Sequence, residues 1–335
     1  MLNIKKLNLI DSQKMYQIYD QWPSIAKESF NNNYEKMDIY GIDHIVFSGM
    51  GGSGAIGDIF SSILSKTNTH VSVVKGYVLP KTVDSNTLVI NTSVSGNTIE
   101  TLTVLNSTID LPCKTISFSS GGKMEEICIK NKLEFRKIPF FHSPRASFVS
   151  FLFSMLKTLE NIIQIKRDDI TESITCLENL RKEISSENLN NNSSLKLAEW
   201  LTEIPLIYYP FGLQAAAIRF KNSLQENAKM HVFSEDVIEA CHNGIVSWEK
   251  KSNVQPILLQ GKDDYIKTKE RWNILKEYFN EKKIDFWEIN SVNGSILSKL
   301  VCMIYLLDYT SIYKAAISNI DPSPVNSIKY FKNRL

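Results

Sequence analysis

The chain has 335 residues, of which 43% are hydrophobic and 22% charged, and its formal net charge is +2. A chain of this length is typical of two globular domains, and the composition excludes a disordered or fibrous protein. A charge so close to neutrality gives no electrostatic case for a nucleic-acid or membrane-surface partner.

The cysteines and the N-terminus indicate where the protein works. The five cysteines contain no C-x-x-C pair, so they indicate neither a metal site nor a disulfide framework, and they favour a reducing compartment. The first residues lack the apolar core of a signal peptide, and no run is expected to reach the length of a membrane span. We therefore expect a cytoplasmic protein.

The first half of the chain alternates between strand and helix signals after a helical segment over 9–33. Strands are predicted at 44–48, 70–74, 87–92, 113–117 and 133–136, and helices at 53–65, 97–106 and 123–130. Short apolar strands separated by helices are typical of a parallel sheet covered on both faces. Ligands of such sheets bind beyond the carboxyl ends of the strands.

The second half repeats this alternation without an obvious sequence repeat. An apolar helical stretch over 146–165 and a polar helix and linker over 168–192 come first, and the Asn/Ser-rich residues 185–194 are predicted to be a domain boundary or an exposed loop. Strands then follow at 204–209 and near 230–233, 255–260 and 284–289, with helices at 213–227, 266–282 and 294–316, and a last short helix follows the turn at 321–325.

Three hydroxyls crowd the turn between the predicted strand 87–92 and the helix that follows it. They belong to Ser93, Ser95 and Thr98, and Gly96 permits a tight backbone between them. The unpaired N–H groups and the positive dipole end of a helix start favour an anion, and hydroxyls add neutral donors that suit a phosphate. The alternative is an ordinary Ser/Thr N-cap, and this turn alone does not separate the two.

A second glycine-rich turn follows the predicted strand 44–48. Its glycines at 49, 51 and 54 match G-x-G-x-x-G, the pattern of dinucleotide-binding sites, which also need an acidic residue at the end of the next strand. Lys75 stands there instead, which disfavours NAD but leaves NADP open. Two glycine and hydroxyl turns on neighbouring strand ends suit one small phosphorylated ligand better than a long dinucleotide.

Four further side chains are candidates for chemistry, each with a plainer alternative. Glu226 closes the predicted helix 213–227, where the dipole enhances its basicity and suits a general base, although a solvated Glu in a fraying turn fits as well. His242 is one of five histidines, the residue type suited to acid–base chemistry at physiological pH, although a turn histidine fits as well. Arg145, between a Pro and a predicted helix, is either an anion contact or a surface residue. Lys332 reads as a solvated residue of the tail.

Six motifs in order give these residues a context: 47–54 (FSGMGGSG), 93–98 (SVSGNT), 144–146 (PRA), 226–229 (ENAK), 242–243 (HN) and 321–325 (DPSPV). Together they resemble the bifunctional phosphoglucose/phosphomannose isomerase family, over nearly the whole chain. The resemblance implies two sugar-isomerase (SIS) domains of three-layer α/β/α type, each with a mainly parallel sheet. It also implies an N-terminal domain over 1–167, a second domain over 168–320 and a tail over 321–335 that contributes to the active site.

The resemblance also implies an activity and a set of roles. Glucose 6-phosphate and mannose 6-phosphate would be interconverted with fructose 6-phosphate, with no metal or organic cofactor. The phosphate would be held by Ser53, Ser93, Ser95 and Thr98 with the backbone around Gly52. Glu226 would move the proton through a cis-enediol, Arg145 would stabilise the enediolate, and Lys332 would lie near the sugar ring. His242 would assist ring opening from the neighbouring subunit, which implies a homodimer.

The chain departs from the family pattern at three positions. Gly244 stands where relatives usually carry Glu, Ser323 where they carry Thr, and Ile238 where they carry Pro. These departures concern the segment around His242 and the turn before the tail. The alternatives are an isomerase of glucose and fructose phosphates only, a non-catalytic SIS regulator that binds a sugar phosphate, and a nucleotide-dependent enzyme that uses the glycine turn.

Overall fold

The computed structural model describes residues 2–334, and its contacts divide the chain into two compact units. One unit, called here the N-sheet unit, comprises Gln21–Ile170 and Ser327–Leu335, and the other, the C-sheet unit, comprises Met1–Asp20 and Thr171–Asn326. The first 20 residues therefore group with the second half of the chain. The domain limits 1–167, 168–320 and 321–335 remain a prediction.

Helices and strands alternate along most of the chain. The helices are α1 Ile4–Ile10, α2 Met15–Asp20, α3 Trp22–Asn31, α4 Gly51–Leu64, α5 Ile99–Ser107, α6 Lys123–Asn131, α7 Phe148–Thr158, α8 Glu160–Ile163, α9 Arg167–Ile184, α10 Ser193–Trp200, α11 Gln214–Ser223, α12 Val237–Ala240, α13 Ile266–Glu281, α14 Ile296–Ile317 and α15 Asn326–Lys332. The strands are β1 His44–Ser48, β2 His70–Val74, β3 Thr87–Ser93, β4 Lys114–Ser119, β5 Glu134–Lys137, β6 Ile204–Tyr209, β7 Phe233–Asp236, β8 Val254–Gln260 and β9 Trp287–Asn290. A π-helical turn spans Leu224–Ala228, and a 3-10 helix spans Gly244–Glu249.

The sheet of the N-sheet unit is entirely parallel, in the order β2-β1-β3-β4-β5. Every residue of β1 and β3 is buried, which agrees with the apolar runs at 45–47 and 88–90 within these strands. The chain leaves β1 towards β2 and leaves β3 in the opposite direction, towards β4. Right-handed crossovers therefore put α4 on one face of the sheet and α5 and α6 on the other. The predicted parallel sheet is confirmed.

The sheet of the C-sheet unit has the same arrangement with one strand fewer. Its parallel order is β7-β6-β8-β9, so the chain again leaves two adjacent central strands in opposite directions. The predicted repeat of the architecture is confirmed. Two strands lie further along the chain than predicted: β7 covers 233–236 instead of 230–233, and β9 covers 287–290 instead of 284–289.

Helix α14 is the central helix of the C-sheet unit. It packs against α10, α11 and the π-helical turn. The helix has 22 residues and, by length and composition only, is long and apolar enough to cross a membrane. The expectation that no run reaches that length is therefore wrong. However, 83% of that window is buried inside the protein, as in a core helix.

The helix predicted over 9–33 is not continuous: the range contains the end of α1 and the two short helices α2 and α3. It is interrupted where the buried Asp11 carboxylate accepts the backbone N–H of Tyr16 at 2.9 Å and where Lys14 takes a left-handed φ of 55°. The second interruption precedes Pro23, which stands in the first turn of α3. The apolar stretch predicted over 146–165 likewise divides into α7 and α8 at Leu159, whose φ and ψ of −96° and 9° are not helical.

Residues 185–194 join α9 to α10 within the C-sheet unit. Ser185, Asn192 and Ser194 are buried, and the Asn192 side chain caps α10 by accepting the N–H of Leu195 at 2.9 Å. The expectation of an exposed boundary loop is therefore wrong for these residues. Of these three, Asn192 serves as a helix cap, and the Ser194 hydroxyl donates to the carbonyl of Leu306 in α14 at 2.7 Å.

Candidate active site

The two glycine-rich turns follow adjacent parallel strands. Ser48 at the end of β1 is paired with Asn91 in β3, so the turns leave the same edge of the sheet side by side. A Cβ atom on Gly49 would lie 3.0 Å from the carbonyl oxygen of Thr92, so the first turn runs close against the end of β3. This edge, between strands that the chain leaves in opposite directions, is where ligands bind in open parallel sheets.

Both turns open into helices whose first N–H groups receive no side-chain cap. Met50 precedes α4 and Thr98 precedes α5, and neither side chain makes a capping hydrogen bond. The Thr98 hydroxyl lies instead 2.9 Å from the hydroxyl of Ser93. The ordinary N-cap is thus not what Thr98 provides, and the two helix starts keep the donors and dipole that attract an anion.

Gly96 is required by the close packing of the second turn. Its φ is 67°, and an added Cβ would lie 1.7 Å from the carbonyl oxygen of Gly121. The turn is further held by the Ser120 hydroxyl, which donates to the carbonyl of Val94 at 2.5 Å. The backbone that presents Ser93, Ser95 and Thr98 is therefore closely supported by the turn after β4.

Lys75 forms an ion pair at the position where a dinucleotide site needs an acidic residue. Its Nζ lies 2.5 Å from Oδ2 of Asp58, which belongs to α4. Burial raises the pKa of Asp58, and the charge of Lys75 opposes that rise. The Lys75 ammonium is thus engaged with a carboxylate, which weakens the NADP alternative as well as the NAD one.

Arg145 is buried in the turn that leads into α7. Only 5% of the residue is exposed, so it is not the surface arginine of the plainer alternative. The turn is ordered by the Ser143 hydroxyl, which accepts the N–H of Ala146 at 3.3 Å. Helix α7 packs against α4, the helix whose first turn carries Ser53. A buried guanidinium remains charged and suits an anionic partner.

Glu226 lies in the π-helical turn that continues α11. The residue is half-buried, and the turn ends at Lys229, which has a left-handed φ of 57°. The Lys229 ammonium donates to the carbonyl of Glu226 and, at 2.8 Å, to the carbonyl of Pro324. Glu226 is therefore not in a fraying helix end, and the π-helical geometry is a feature that helix prediction over 213–227 did not find.

His242 is exposed and follows β7, whereas Glu226 precedes it. The two residues are thus at opposite ends of a four-residue strand, which is about 13 Å long.

The absence of a side chain at Gly244 has a structural counterpart in Glu235. An added Cβ at 244 would lie 2.7 and 3.0 Å from the two carboxylate oxygens of Glu235, so that carboxylate occupies the space. Burial, followed by the charges of Glu239 and Asp236, raises the pKa of Glu235. A Glu at 244 would add another negative charge to this group.

The turn at 321–325 is held by the side chain of its first residue, Asp321. The Asp321 carboxylate accepts the N–H of Ser323 at 2.9 Å and the hydroxyl of Ser12 at 2.5 Å. Lys332 is exposed at the end of α15. Of the predicted site residues, the structure brings together those of the two glycine turns, namely Gly52, Ser53, Ser93, Ser95 and Thr98.

Comparison with known proteins shows to which family the chain is similar. The family described as the bacterial phospho-glucose isomerase C-terminal SIS domain matches residues 190–335. A bifunctional phosphoglucose/phosphomannose isomerase from Caldicellulosiruptor bescii is 33% identical over 309 residues, which cover 88% of this chain and 90% of the relative. A relative with the same name from Aquifex aeolicus is 29% identical over 317 residues, which cover 92% of this chain and 96% of the relative.

The C-terminal domain of a glucosamine-fructose-6-phosphate aminotransferase from Francisella tularensis has the same fold. Its TM-score is 0.67 at 15% identity, and the match covers 91% of this chain and 96% of that one. Together with the SIS-domain match, this likeness confirms the predicted SIS-type α/β architecture. Because the Caldicellulosiruptor relative is similar across nearly its whole length, this chain belongs to the bifunctional phosphoglucose/phosphomannose isomerase family.

Proposed function

We propose that this chain is an aldose–ketose isomerase that interconverts glucose 6-phosphate or mannose 6-phosphate with fructose 6-phosphate. The observation that carries the proposal is the pair of uncapped helix starts, lined by hydroxyls, on adjacent strand ends of a chain from this family. Such a site suits a small phosphorylated ligand. The reaction is a proton transfer between C1 and C2 of the open-chain sugar through a cis-enediol.

The phosphate is the anchor of the substrate in this proposal. The hydroxyls of Ser53, Ser93, Ser95 and Thr98 and the N–H of Gly52 would donate to its oxygens. These donors are neutral, so they do not compensate the negative charge of the phosphate. The positive ends of the two helix dipoles stabilise that charge. A fixed phosphate also fixes the position of C1 and C2, which lowers the entropic cost of the proton transfer.

Glu226 is the proposed general base. It would remove the proton next to the carbonyl carbon and return it to the adjacent carbon, and the negative charge that develops on oxygen in between needs a nearby cation. Arg145, which stays charged although buried, would supply that cation, and Lys332 would contact the sugar hydroxyls.

His242 is the proposed group for ring opening, and it would act in the site of a neighbouring subunit. The support for this assignment is that β7 separates Glu226 from His242 and that the imidazole is exposed. Two copies related by a two-fold axis would each complete the site of the other. A homodimer is thus part of the proposal.

Assays with three sugar phosphates separate the alternatives. The purified chain should convert both glucose 6-phosphate and mannose 6-phosphate to fructose 6-phosphate in a coupled assay. Conversion of glucose 6-phosphate alone would identify a glucose-specific isomerase. Binding of either aldose phosphate without turnover would identify a non-catalytic regulator.

Replacement of Glu226 tests the base directly. Glu226→Gln removes the carboxylate but keeps the size of the side chain, and because general-base catalysis typically contributes 10²–10⁴-fold, turnover should fall by at least about 100-fold while sugar phosphate still binds. Glu281→Gln, at the exposed end of α13, removes a carboxylate at a comparable helix position and should leave turnover unchanged. Near-normal turnover of Glu226→Gln would exclude this residue as the base.

A further inference from the structure

The turn that carries Glu226 has an unusual backbone. A π-helical turn replaces the last turn of a helix over Leu224–Ala228, with Glu226 at its centre. Such turns are rare, are less favourable than the α-helix, and persist where surrounding contacts hold them. The contacts of the neighbouring residues therefore indicate what holds Glu226 in place.

Asn227, the next residue, is fixed to helix α14. The side chain is fully buried, and its Nδ2 donates to Oγ of Ser311 at 2.8 Å. Ser311 is also fully buried, and its hydroxyl donates in turn to the carbonyl of Asp308 at 2.6 Å. Through this chain of two hydrogen bonds, the middle of the π-helical turn is tied to the backbone of α14.

The residues just before the turn are fixed to the same helix by a buried carboxylate. Nη2 of Arg219 lies 2.7 Å from Oδ2 of Asp308, and the Ser223 hydroxyl donates to Oδ1 at 2.6 Å. The Tyr19 hydroxyl donates to Oδ2 at 3.2 Å. Burial lowers the pKa of Arg219, but the charge and hydrogen bonds of Asp308 together with the charges of Tyr19 and Glu226 outweigh burial, so the net shift is upward. A buried, multiply bonded ion pair of this kind holds α11 in a defined position against α14.

We propose that Asn227 and Ser311 are positioning residues for Glu226, which is an inference that rests on the proposed role of Glu226 as the base. Successive residues of a helical turn face different directions. Because Ser311 holds the Asn227 amide in the interior, the turn cannot rotate, and the preceding residue, Glu226, keeps one orientation. The carboxylate then meets the substrate in one orientation, which is what a proton transfer requires.

Two serine variants of the same kind test this inference. Ser311→Ala removes the hydroxyl to which the Asn227 amide donates, whereas Ser194→Ala is the control. Ser194 is also fully buried, and its hydroxyl also donates to a carbonyl of α14, that of Leu306 at 2.7 Å. Both variants lose one buried hydroxyl and should lower the melting temperature, and Ser311→Ala should lower it more because Ser311 also accepts a hydrogen bond from the buried Asn227 amide.

Only Ser311→Ala should affect catalysis. Since small misplacements of a catalytic group cost up to about 100-fold, its kcat should fall by at least about tenfold, with KM changed by less than about twofold. The kcat of Ser194→Ala should stay at the wild-type value when both are assayed well below their melting temperatures. An equal kcat in the two variants would overturn the inference.

Hydrogen–deuterium exchange separates a failure of this inference from a failure of the proposed function. The backbone amides of 224–230 should exchange faster in Ser311→Ala than in the wild type, and at the wild-type rate in Ser194→Ala. Unchanged exchange in Ser311→Ala would overturn the inference whatever the activity. If the wild type shows no isomerase turnover, or Glu226→Gln retains it, the proposed function fails, and the exchange rates still decide whether Asn227 and Ser311 fix the turn.

Discussion

At the level of single residues, the proposed phosphate site consists of hydroxyl groups and backbone amides. The Ser93 and Thr98 hydroxyls are within hydrogen-bond distance of each other, and the Ser95 hydroxyl accepts only a long bond of 3.3 Å from the N–H of Asn97. A hydrogen bond to a charged group contributes about 1.5–3 kcal/mol. The loss of one such hydroxyl should therefore weaken binding by about tenfold or more without removing the base.

We expect Ser95→Ala to raise KM for the sugar phosphate by about tenfold and to lower kcat by less, because the lost hydrogen bond holds the phosphate in both the ground state and the transition state. Steady-state kinetics with glucose 6-phosphate measure both constants. Ser107→Ala is the matched control. Ser107 is the last residue of α5, the helix that follows the Ser95 turn, and its hydroxyl donates to the carbonyl of Thr103 at 2.9 Å. A KM equal to that of the wild type would show that Ser95 does not bind the phosphate.

At the level of secondary-structure elements, ion pairs around Glu160 stabilise the junction between α8 and α9. Glu160 begins α8, where its carboxylate lies 2.9 Å from Nζ of Lys36 and also accepts from Arg167. The hydrogen bond from Arg167 is the main reason that the pKa of Glu160 is lowered from 4.5 to about 2. Burial of the carboxylate opposes this shift.

The sign of this shift sets a pH dependence. Since the folded state lowers the pKa of Glu160, its ionised form stabilises the fold above pH 4.5, and that stabilisation is lost as the pH falls towards 2. Glu160→Gln should therefore melt below the wild type at pH 7, and the difference should narrow as the pH is lowered through this range. Thermal unfolding by circular dichroism at several pH values measures it.

The exposed pair of Lys267 and Glu270 provides the comparison. Because exposed ion pairs contribute little, Glu270→Gln should shift the melting temperature only slightly at any pH. A difference between Glu160→Gln and the wild type that is constant with pH would mean that packing, and not the charge, is responsible.

The whole molecule contains two parallel sheets, of five and four strands, and the two units that hold them carry different parts of the proposed chemistry. The N-sheet unit holds the hydroxyl-lined turns beyond β1 and β3. The C-sheet unit holds Glu226 before β7 and His242 after it. Because a strand separates these two residues, a complete set of catalytic groups is expected from two copies of the chain.

Mixed dimers test that expectation. Glu226→Gln and His242→Ala homodimers should both be impaired. A dimer with one chain of each kind, purified by two different tags, would contain one site in which both groups are intact. Its activity should be about half that of the wild type, since one of two sites works. A mixed dimer no more active than the two parents would place His242 in the site of its own chain or outside the reaction.

Local patterns in the amino-acid sequence determined the class of fold and the proposed phosphate site. Continuous apolar runs predicted β1 and β3, and the glycine and hydroxyl turns that follow them predicted an anion site, because strand burial and turn geometry depend mainly on neighbouring residues. The ordered motifs also identified the family, which the relatives confirm.

Only the tertiary structure decided the geometry around Glu226. The predicted helix ends in a π-helical turn whose Asn227 bonds to Ser311, 84 positions away in the chain, and the helix before it is held by Asp308, which binds Arg219 across 89 positions. Such contacts leave no periodic signal, since they depend on which helices become neighbours after folding.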